Sequence, residues 1–208
     1  MGFILNETTM IYNSEDSVQR NQKEQEYLDY INNHIHNVNK AFETLFLPIL
    51  DKDNIVCKYI STSDLKQSII ELRDIITHHD ASKFSDDEFD GYRCKYYPTE
   101  LEKANEEFMK AAEDRYEECW EHHYKVNDHH PKHWVDENGN PTDMSLLAII
   151  HMICDWEGMS IKFGTNTLEW YENNAIDEKK CFTDKTKQIV EDILYNVVYG
   201  PRTKLGES

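Results

Sequence analysis

Glycine and proline are scarce in this sequence, with 7 and 5 residues among 208. Because these residues mark most turns, their scarcity predicts few, long elements and favours helices. No apolar run approaches the roughly 18 to 20 residues that cross a bilayer, so no membrane association is expected. The first residues lack a basic segment ahead of an apolar one, and we therefore expect no secretory signal.

Cysteine is also sparse. The five cysteines are scattered and form no Cys-x-x-Cys motif, which predicts buried, reduced thiols and a cytoplasmic protein. Basic residues number 22 against 40 acidic ones, giving a net charge of −18. Since phosphate affinity comes mainly from lysine and arginine, direct nucleic-acid binding is not expected. The acidic surface is either a plain solvated one or a face that engages a basic protein partner.

What the sequence does contain is enough apolar and aromatic material for a core. Apolar residues make up 39%, with 12 tyrosines and 8 phenylalanines, and this composition predicts a folded globule. We expect one all-α domain over residues 1–208, with an irregular lead-in over residues 1–22 and a frayed tail over residues 201–208.

A first amphipathic helix is predicted from about Glu24, where apolar residues recur at three- and four-residue steps up to Leu45. His34 lies within this apolar stripe, so it should face the interior, whereas His36 should face solvent. A lone interior histidine is more often a hydrogen-bonded core residue than a metal ligand. His34 alone therefore does not identify a site.

A second apolar stripe leads directly into His79-Asp80. An imidazole nitrogen beside a carboxylate oxygen suits a divalent ion such as zinc, iron, manganese or nickel. Lys83, three residues after Asp80, could meet an anion held by that metal. Two capping boxes follow, Ser85-Asp86-Asp87-Glu88 before a short helix and Thr99-Glu100-Leu101-Glu102 before a long one.

Five histidines lie between His122 and His133. Helical spacing places His123, Asn127 and His130 on one face, and Pro131 is predicted to end the helix, which frees His129 and His130 to turn inwards together. The alternative is an adventitious metal binder or a pH-sensitive surface.

A late helix, capped by Thr142 or Asp143, is apolar nearly all round and carries Asp155 in its middle. A carboxylate in such a place costs several kcal/mol unless it is paired or binds a cation. Asp155 is therefore a ligand candidate, with His151, one turn earlier, as a helper.

The order of these residues resembles that of the HD-domain superfamily of metal-dependent phosphohydrolases. The residues in question are His34, His79, Asp80, His123, His129, His130 and Asp155. The resemblance implies an all-α, HD-domain-like bundle of about six to eight helices around a metal site. It also implies one or two divalent transition metal ions, drawn from Fe, Mn, Zn, Ni or Co.

The resemblance further implies a role for each residue. The first metal would be held by His34, His79, Asp80 and Asp155. The second would be held by Asp80, His123, His129 and His130, so that Asp80 bridges the two. Lys83, with Asn127 as its neighbour, would steady phosphate oxygens. Two cations held in this way would activate a shared water and polarise a phosphoryl oxygen.

The segment His79-Asp80-Ala81-Ser82-Lys83 is similar to the His-Asp-x-Gly-Lys of the HD-GYP cyclic-dinucleotide phosphodiesterases and of myo-inositol oxygenase, where the lysine contacts substrate. Ser82 replaces the usual glycine, and no Gly-Tyr-Pro follows the paired histidines, so cyclic-dinucleotide specificity is not carried over. The combined motifs look more like a small family found in bacteria and their phages, from which no activity is transferred.

The resemblance implies a metal-dependent phosphomonoesterase or phosphodiesterase acting on a small nucleotide or other phosphate ester. Two alternatives stay open. A di-iron oxygenase resembling myo-inositol oxygenase would use the same fold and ligands. A non-catalytic acidic binding or inhibitor protein would need no catalytic metal.

Overall fold

The computed structural model of the protein describes residues 14–50, Tyr59 and residues 65–199. Within these residues the chain is helical, and the one strand-like feature is an isolated antiparallel bridge between Val135 and Pro141. The prediction of an all-α fold is confirmed over this part of the chain. The tail predicted for residues 201–208 lies outside it, as do residues 1–13. None of the described helices is long and apolar enough to cross a membrane.

The described residues form ten α-helices. In chain order they are α1 (Ser14–Ala41), α2 (Leu47–Leu50), α3 (Leu65–Thr77), α4 (Phe89–Tyr96), α5 (Glu100–Lys103), α6 (Glu106–Val126), α7 (Leu146–Phe163), α8 (Thr167–Asn173), α9 (Ile176–Lys180) and α10 (Asp184–Ile193). Single π-helical turns at Phe42–Phe46 and Leu194–Tyr199 follow α1 and α10, and 3-10 helices lie at Ala81–Phe84 and Pro131–Trp134.

Helix α1 begins earlier than the sequence pattern indicates. The lead-in predicted as irregular to residue 22 is wrong for residues 14–22, which are helical. These turns have no apolar stripe, but Glu15 and Asp16 lie in the first turn, where the helix dipole favours negative charge. Arg20 pairs with Glu24 at 3.1 Å, four residues on. Side-chain ion pairs on the solvent-exposed surface therefore stabilise this part of α1, where no apolar stripe is present.

Two compact units make up the chain, each formed by two separate segments. Among the described residues, unit 1 comprises 14–33 and 80–127, and unit 2 comprises 34–50, Tyr59, 65–79 and 128–199. The boundaries fall within α1, at the His79–Asp80 peptide bond and after Asn127. The single domain predicted for residues 1–208 stays a prediction.

Unit 1 is organised by the close approach of α4 and α6. A side chain at Gly91 would collide with the sulfur of Cys119 and would lie 3.1 Å from the carbonyl oxygen of Arg115. On the same helix, the buried Arg93 donates to the buried Glu102 at 2.6 Å. Glycine at position 91 is what allows the two helices to touch.

The predicted capping box at Thr99 is confirmed. The Thr99 side chain accepts from the Glu102 backbone N–H, and the Glu102 carboxylate accepts from the Thr99 backbone N–H. The helix that it opens is short, ending at Lys103, because Asn105 caps a new helix by accepting from the Phe108 backbone N–H. The one long helix predicted from Thr99 is therefore α5 followed by α6.

Unit 2 is built around α7, most of which is buried. Its N-cap is Ser145, whose side chain accepts from the Ala148 backbone N–H, and not Thr142 or Asp143 as predicted. The Asp143 carboxylate instead accepts from the Thr183 hydroxyl at 2.6 Å and thus serves the start of α10. A Cβ placed at Gly158 would lie 2.9 Å from Val38 Cγ2, so α7 and the second half of α1 are in close contact.

The cysteines of the described residues are free thiols, as predicted. Cys94 and Cys119 are buried in unit 1 and Cys154 is buried in unit 2, whereas Cys181 is partly exposed. Burial raises the pKa of the Cys94 thiol to about 12 and raises the pKa values of Cys119 and Cys154 as well. These three thiols are therefore protonated and unreactive in the folded chain. Cys57 lies outside the described residues.

Candidate metal centre

The backbone changes direction where α3 ends. The helix closes at Thr77, a turn covers His78 to Asp80, and the 3-10 helix begins at Ala81. Asp80 has a left-handed backbone, with φ 55° and ψ 24°, and no other non-glycine residue of the described ranges has positive φ. Aspartate is among the few residues that adopt this conformation readily. Such backbone outliers cluster at functional sites.

In unit 2, helix α1, the turn after α3 and helix α7 bring donor atoms together from positions far apart in sequence. The Nε2 atoms of His34 and His79 lie 2.9 Å apart. The Oδ1 atom of Asp155 lies 3.0 Å from His34 Nε2 and 3.6 Å from His79 Nε2. His34 and His79 are buried, and the Asp155 side chain is 16% exposed. We call these residues, with His129 and His151, the unit 2 cluster.

The three donor atoms fit a single cation. Two atoms bound to one metal at about 2.0–2.2 Å lie about 3.0 Å apart at octahedral angles and about 3.4 Å apart at tetrahedral angles. The observed separations of 2.9, 3.0 and 3.6 Å fall around these values. Two imidazoles and one carboxylate are also a donor set that zinc, iron, manganese, nickel and cobalt accept.

The other ring nitrogen of His79 is held as well. His79 Nδ1 lies 2.8 Å from His151 Nε2. His151 and Asp155 are four residues apart on α7, so one face of that helix presents both. A contact at Nδ1 fixes the tautomer and the ring orientation of a histidine that binds metal through Nε2. The predicted helper role of His151 has this contact as its physical basis.

His129 stands beside the same rings. Its ring centroid lies 4.7 Å from that of His79 and 4.4 Å from that of His151. Ligand atoms of His79, His129 and His151 lie within 4.8 Å of one another and could hold a metal ion. His130 follows, with its ring centroid 4.2 Å from that of His129. Unit 2 thus holds two overlapping groups of donors that share His79.

The segment carrying His129 and His130 is not helical. The helix predicted to run to Pro131 ends at Val126, and Asn127 caps it by donating its backbone N–H to the His123 carbonyl. The prediction is wrong for residues 127–130, because a Pro-initiated 3-10 helix and a hydrogen bond from the Trp134 indole to the Asp128 carbonyl replace the α-helical pattern. The paired histidines are thereby on a loop.

Unit 1 contains a second buried polar cluster around Asp80. Asp80 Oδ2 accepts from Lys83 Nζ at 2.6 Å, and Asp80 Oδ1 lies 3.3 Å from His123 Nε2. The other ring nitrogen of His123, Nδ1, lies 2.8 Å from Glu88 Oε2. We call Asp80, Lys83, Glu88 and His123 the unit 1 cluster.

Neighbouring polar side chains complete this arrangement. Ser82 Oγ lies 3.3 Å from His123 Nδ1 and accepts from the Asn127 side-chain amide at 2.9 Å. His122 Nδ1 lies 2.8 Å from Glu88 Oε1, so the Glu88 carboxylate stands between two imidazoles. Asn127 therefore supports the His123 ring through Ser82.

The ionisable groups of the unit 1 cluster shift one another's pKa values. Burial alone would lower the pKa of His123, but its hydrogen bonds to Asp80 and Glu88 outweigh burial and the pKa is raised. Burial would raise the pKa of Glu88, yet the hydrogen bond and charge of His123 hold it below the ordinary value. Each group thus stabilises the charged form of the other.

The sequence matches a family of unknown function (DUF5662) over residues 23–196. The chain belongs to this family. The matched range contains every residue of the unit 1 and unit 2 clusters. No curated protein and no solved structure matches the chain. Family membership thus covers both clusters without assigning an activity to either.

The structure divides the predicted site residues between the two units. His34, His79, His129, His130 and Asp155 lie together in unit 2. Asp80, Lys83, His123 and Asn127 lie together in unit 1. His79 and Asp80 are consecutive in the chain, on either side of the boundary. The two-metal assignment in which Asp80 bridges stays a prediction.

Glu88 is the site residue that sequence reasoning missed. The capping box predicted to end at Glu88 is wrong, because the Glu88 side chain makes no capping hydrogen bond at the start of α4. Its carboxylate is fully buried against His122 and His123. The available signal was its position four residues before Tyr92, a buried residue of α4.

Proposed function

We propose that the protein is a metal-dependent phosphohydrolase acting on a small nucleotide or other phosphate ester. The observation that carries the proposal is the convergence of His34 Nε2, His79 Nε2 and Asp155 Oδ1, with separations from 2.9 to 3.6 Å. Their order in the chain, with Asp80 directly after His79, resembles that of the HD-domain superfamily.

A divalent cation, when bound, lowers the pKa of a coordinated water and polarises a phosphoryl oxygen. His34, His79 and Asp155 would hold it, and His151 would keep the His79 ring in position through the 2.8 Å contact at Nδ1. A cation there also offsets the cost of keeping the Asp155 carboxylate on an apolar helix. The cation further reduces the repulsion that a net charge of −18 exerts on an anionic substrate.

Lys83 is the residue of unit 1 that suits a phosphate. Its ammonium group donates to Asp80 at 2.6 Å and lies 5.3 Å from the centroid of the Tyr92 ring. An ammonium fixed by a carboxylate and an aromatic face is already oriented when an anion arrives. We infer that Lys83 binds non-bridging phosphate oxygens, and that Asn127 acts by holding Ser82 and His123.

Metal content and phosphate release together test the proposal. The purified protein is analysed for bound metals and screened with phosphomonoesters and phosphodiesters in the presence of manganese, nickel, cobalt or iron. We expect His79→Asn and Asp155→Asn to lose bound metal and to reduce phosphate release by about 100-fold or more, because each removes one donor from the cluster.

Two exposed neighbours provide matched controls. His78 is adjacent to His79 with its side chain 68% exposed, and Asp74 is 75% exposed. His78→Asn and Asp74→Asn should retain metal and phosphate release. Unchanged release in either cluster variant contradicts the proposal. Bound iron with an oxygen-responsive absorption band and no phosphate release would point to the oxygenase chemistry. A basic protein partner that still binds the His79→Ala variant would point to the binding protein.

A further inference from the structure

Unit 1 contains a partly open cavity of about 440 Å³ that is lined by seven aromatic rings and Lys83. The rings come from α1, from α4 with its C-cap, and from α6. Tyr27 and Tyr92 are buried, whereas Tyr96 is 55% exposed, so the cavity leads inwards from the surface. Pockets that hold small molecules occupy about 300 to 1,000 Å³, and this volume lies within that range. We call the cavity the tyrosine pocket.

The composition of the lining favours one kind of ligand. Six of the seven rings are tyrosines and the seventh is Trp120, and none of the described residues in the lining is Leu, Ile, Val or Met. The face of an aromatic ring carries partial negative charge, so it attracts a cation as well as apolar groups. A pocket made of such rings therefore suits a ligand that is both positively charged and apolar.

Two rings of the pocket already contact ammonium groups of the protein. Lys83 Nζ lies 5.3 Å from the centroid of the Tyr92 ring. Lys95 Nζ, which is paired with Glu113, lies 5.5 Å from the centroid of the Tyr116 ring. Both distances are within the roughly 6 Å over which a cation is attracted to a ring face. The tyrosines of this pocket thus make cation–π contacts in the folded chain.

The electrostatic surroundings of the pocket also favour a cation. The described ranges of unit 1, 14–33 and 80–127, contain 19 acidic and 9 basic residues. Lys83 is ion-paired with Asp80 at 2.6 Å, so its positive charge is balanced by a carboxylate. Burial is the main cause of the raised pKa of Tyr92, and the negative charges of Glu88 and Asp80 add to it. Carboxylates therefore lie near the buried wall of the pocket.

We propose that the tyrosine pocket binds a small organic cation with a methylated ammonium group, such as choline. The methyl groups carry the positive charge and are apolar, so they contact several ring faces at once. The contacts are with ring faces and require no hydrogen bond from the buried hydroxyls of Tyr27 and Tyr92. The inference concerns unit 1 alone and does not depend on the metal centre of unit 2.

Three probes separate the cation–π contact from plain apolar or plain ionic binding. The first is choline, and the second is its neutral isostere, in which a tert-butyl group replaces the trimethylammonium group. The third is ethanolamine, which keeps the positive charge and lacks the methyl groups. Each is titrated into the purified full-length protein by calorimetry at about 0.15 M salt, which screens the exposed charges. We expect choline to bind at least about tenfold more tightly than either of the others.

Tyr96→Leu is the decisive variant. It removes one ring of the pocket at a position that is more than half exposed, so the variant should stay folded, which thermal unfolding checks. Affinity for choline should fall about three- to tenfold, whereas Tyr96→Phe keeps the ring and should bind choline within about twofold of the wild type. Tyr195→Leu is the matched control, because Tyr195 is 47% exposed and lies in unit 2. It should leave choline affinity unchanged.

Each contrary result overturns the inference for a different reason. Equal affinity for choline and its neutral isostere would show that the pocket selects apolar groups without regard to charge. Equal affinity for choline and ethanolamine would assign the binding to the acidic surface in general. Unchanged choline affinity in Tyr96→Leu, or no choline binding to the wild type, would show that the tyrosine pocket is not the site.

Discussion

The role of Asp155 depends on the side chains that surround it. It lies on a helix whose other residues are mostly apolar, and its carboxylate is within 3.0 Å of His34 Nε2. The carboxylate needs an ionic or hydrogen-bonding partner at that depth, and His34 needs the same. His36, two residues from His34, is exposed, so helix geometry alone selects which of the two histidines reaches Asp155.

The left-handed backbone of Asp80 leads to a prediction at the residue scale. Asp80→Asn and Asp80→Ala both remove the carboxylate, but asparagine adopts the left-handed conformation far more readily than alanine. The free energy of unfolding of Asp80→Asn should therefore exceed that of Asp80→Ala by about 1 kcal/mol. Urea denaturation measures both. If the two variants are equally stable, the φ of 55° carries no backbone cost.

Residue-scale prediction from the sequence works where periodicity decides the outcome. The buried position of His34 and the exposed position of His36 both follow from the apolar stripe. The pairing of Glu88 with His122 and His123 does not, because residues 88 and 122 belong to different helical elements and only packing brings them together. A carboxylate after two aspartates is typical of solvent exposure, and the buried hydrogen bonds reverse that expectation.

At the scale of elements, the helices begin and end for local reasons that sequence reveals unevenly. Side-chain oxygens define the start at Thr99, where the predicted capping box is formed, but the predicted caps at Ser85 and at Thr142 or Asp143 are wrong. Starts that depend on surface ion pairs are hidden, as at Ser14. Ends are hidden too, since α6 stops at Val126 although the proline follows only at position 131. The helix end predicted at Pro131 is therefore wrong by several residues.

The contact between α4 and α6 can be tested through Gly91. Gly91→Ala would place a methyl group against the Cys119 sulfur, and we expect a loss of about 1–3 kcal/mol in the free energy of unfolding. Cys119→Ala removes that sulfur. The double variant should therefore be more stable than the sum of the two single changes predicts. Strict additivity in urea denaturation would show that the two helices do not meet at these residues.

At the scale of the whole molecule, the net charge of −18 sets the background for any cation effect. General screening and specific binding both raise stability, but only specific binding requires the unit 2 cluster. A divalent ion that binds the unit 2 cluster, present at a free concentration of about 100 times its dissociation constant, should raise the free energy of unfolding by about 2.7 kcal/mol. This corresponds to an increase of roughly 5–10 °C in Tm.

Thermal unfolding with and without a chelator measures this effect. His79→Asn should show no shift from manganese or zinc beyond that of sodium chloride at equal ionic strength. The exposed His78→Asn control should respond as the wild type does. An equal divalent-ion shift in His79→Asn would assign the stabilisation to the acidic surface in general.

The helical class and most donor residues were predictable from this chain, because both depend on local pattern. His34, His79 and Asp155 each stand out on an apolar stripe, and the structure brings them within 3.6 Å of one another. The open cavity of about 440 Å³ in unit 1, lined mainly by tyrosines, was not predicted. Its tyrosines do not stand out in the sequence, and only the packing of α1, α4 and α6 brings their rings to one cavity.

The burial of the cysteines means that the native chain carries its own chemical reporters of opening. Cys94 and Cys119 lie in unit 1 and Cys154 lies in unit 2, and all three are inaccessible to an alkylating reagent while folded. Peptide masses after timed alkylation would then give a separate opening rate for each unit from one unlabelled, unmutated sample.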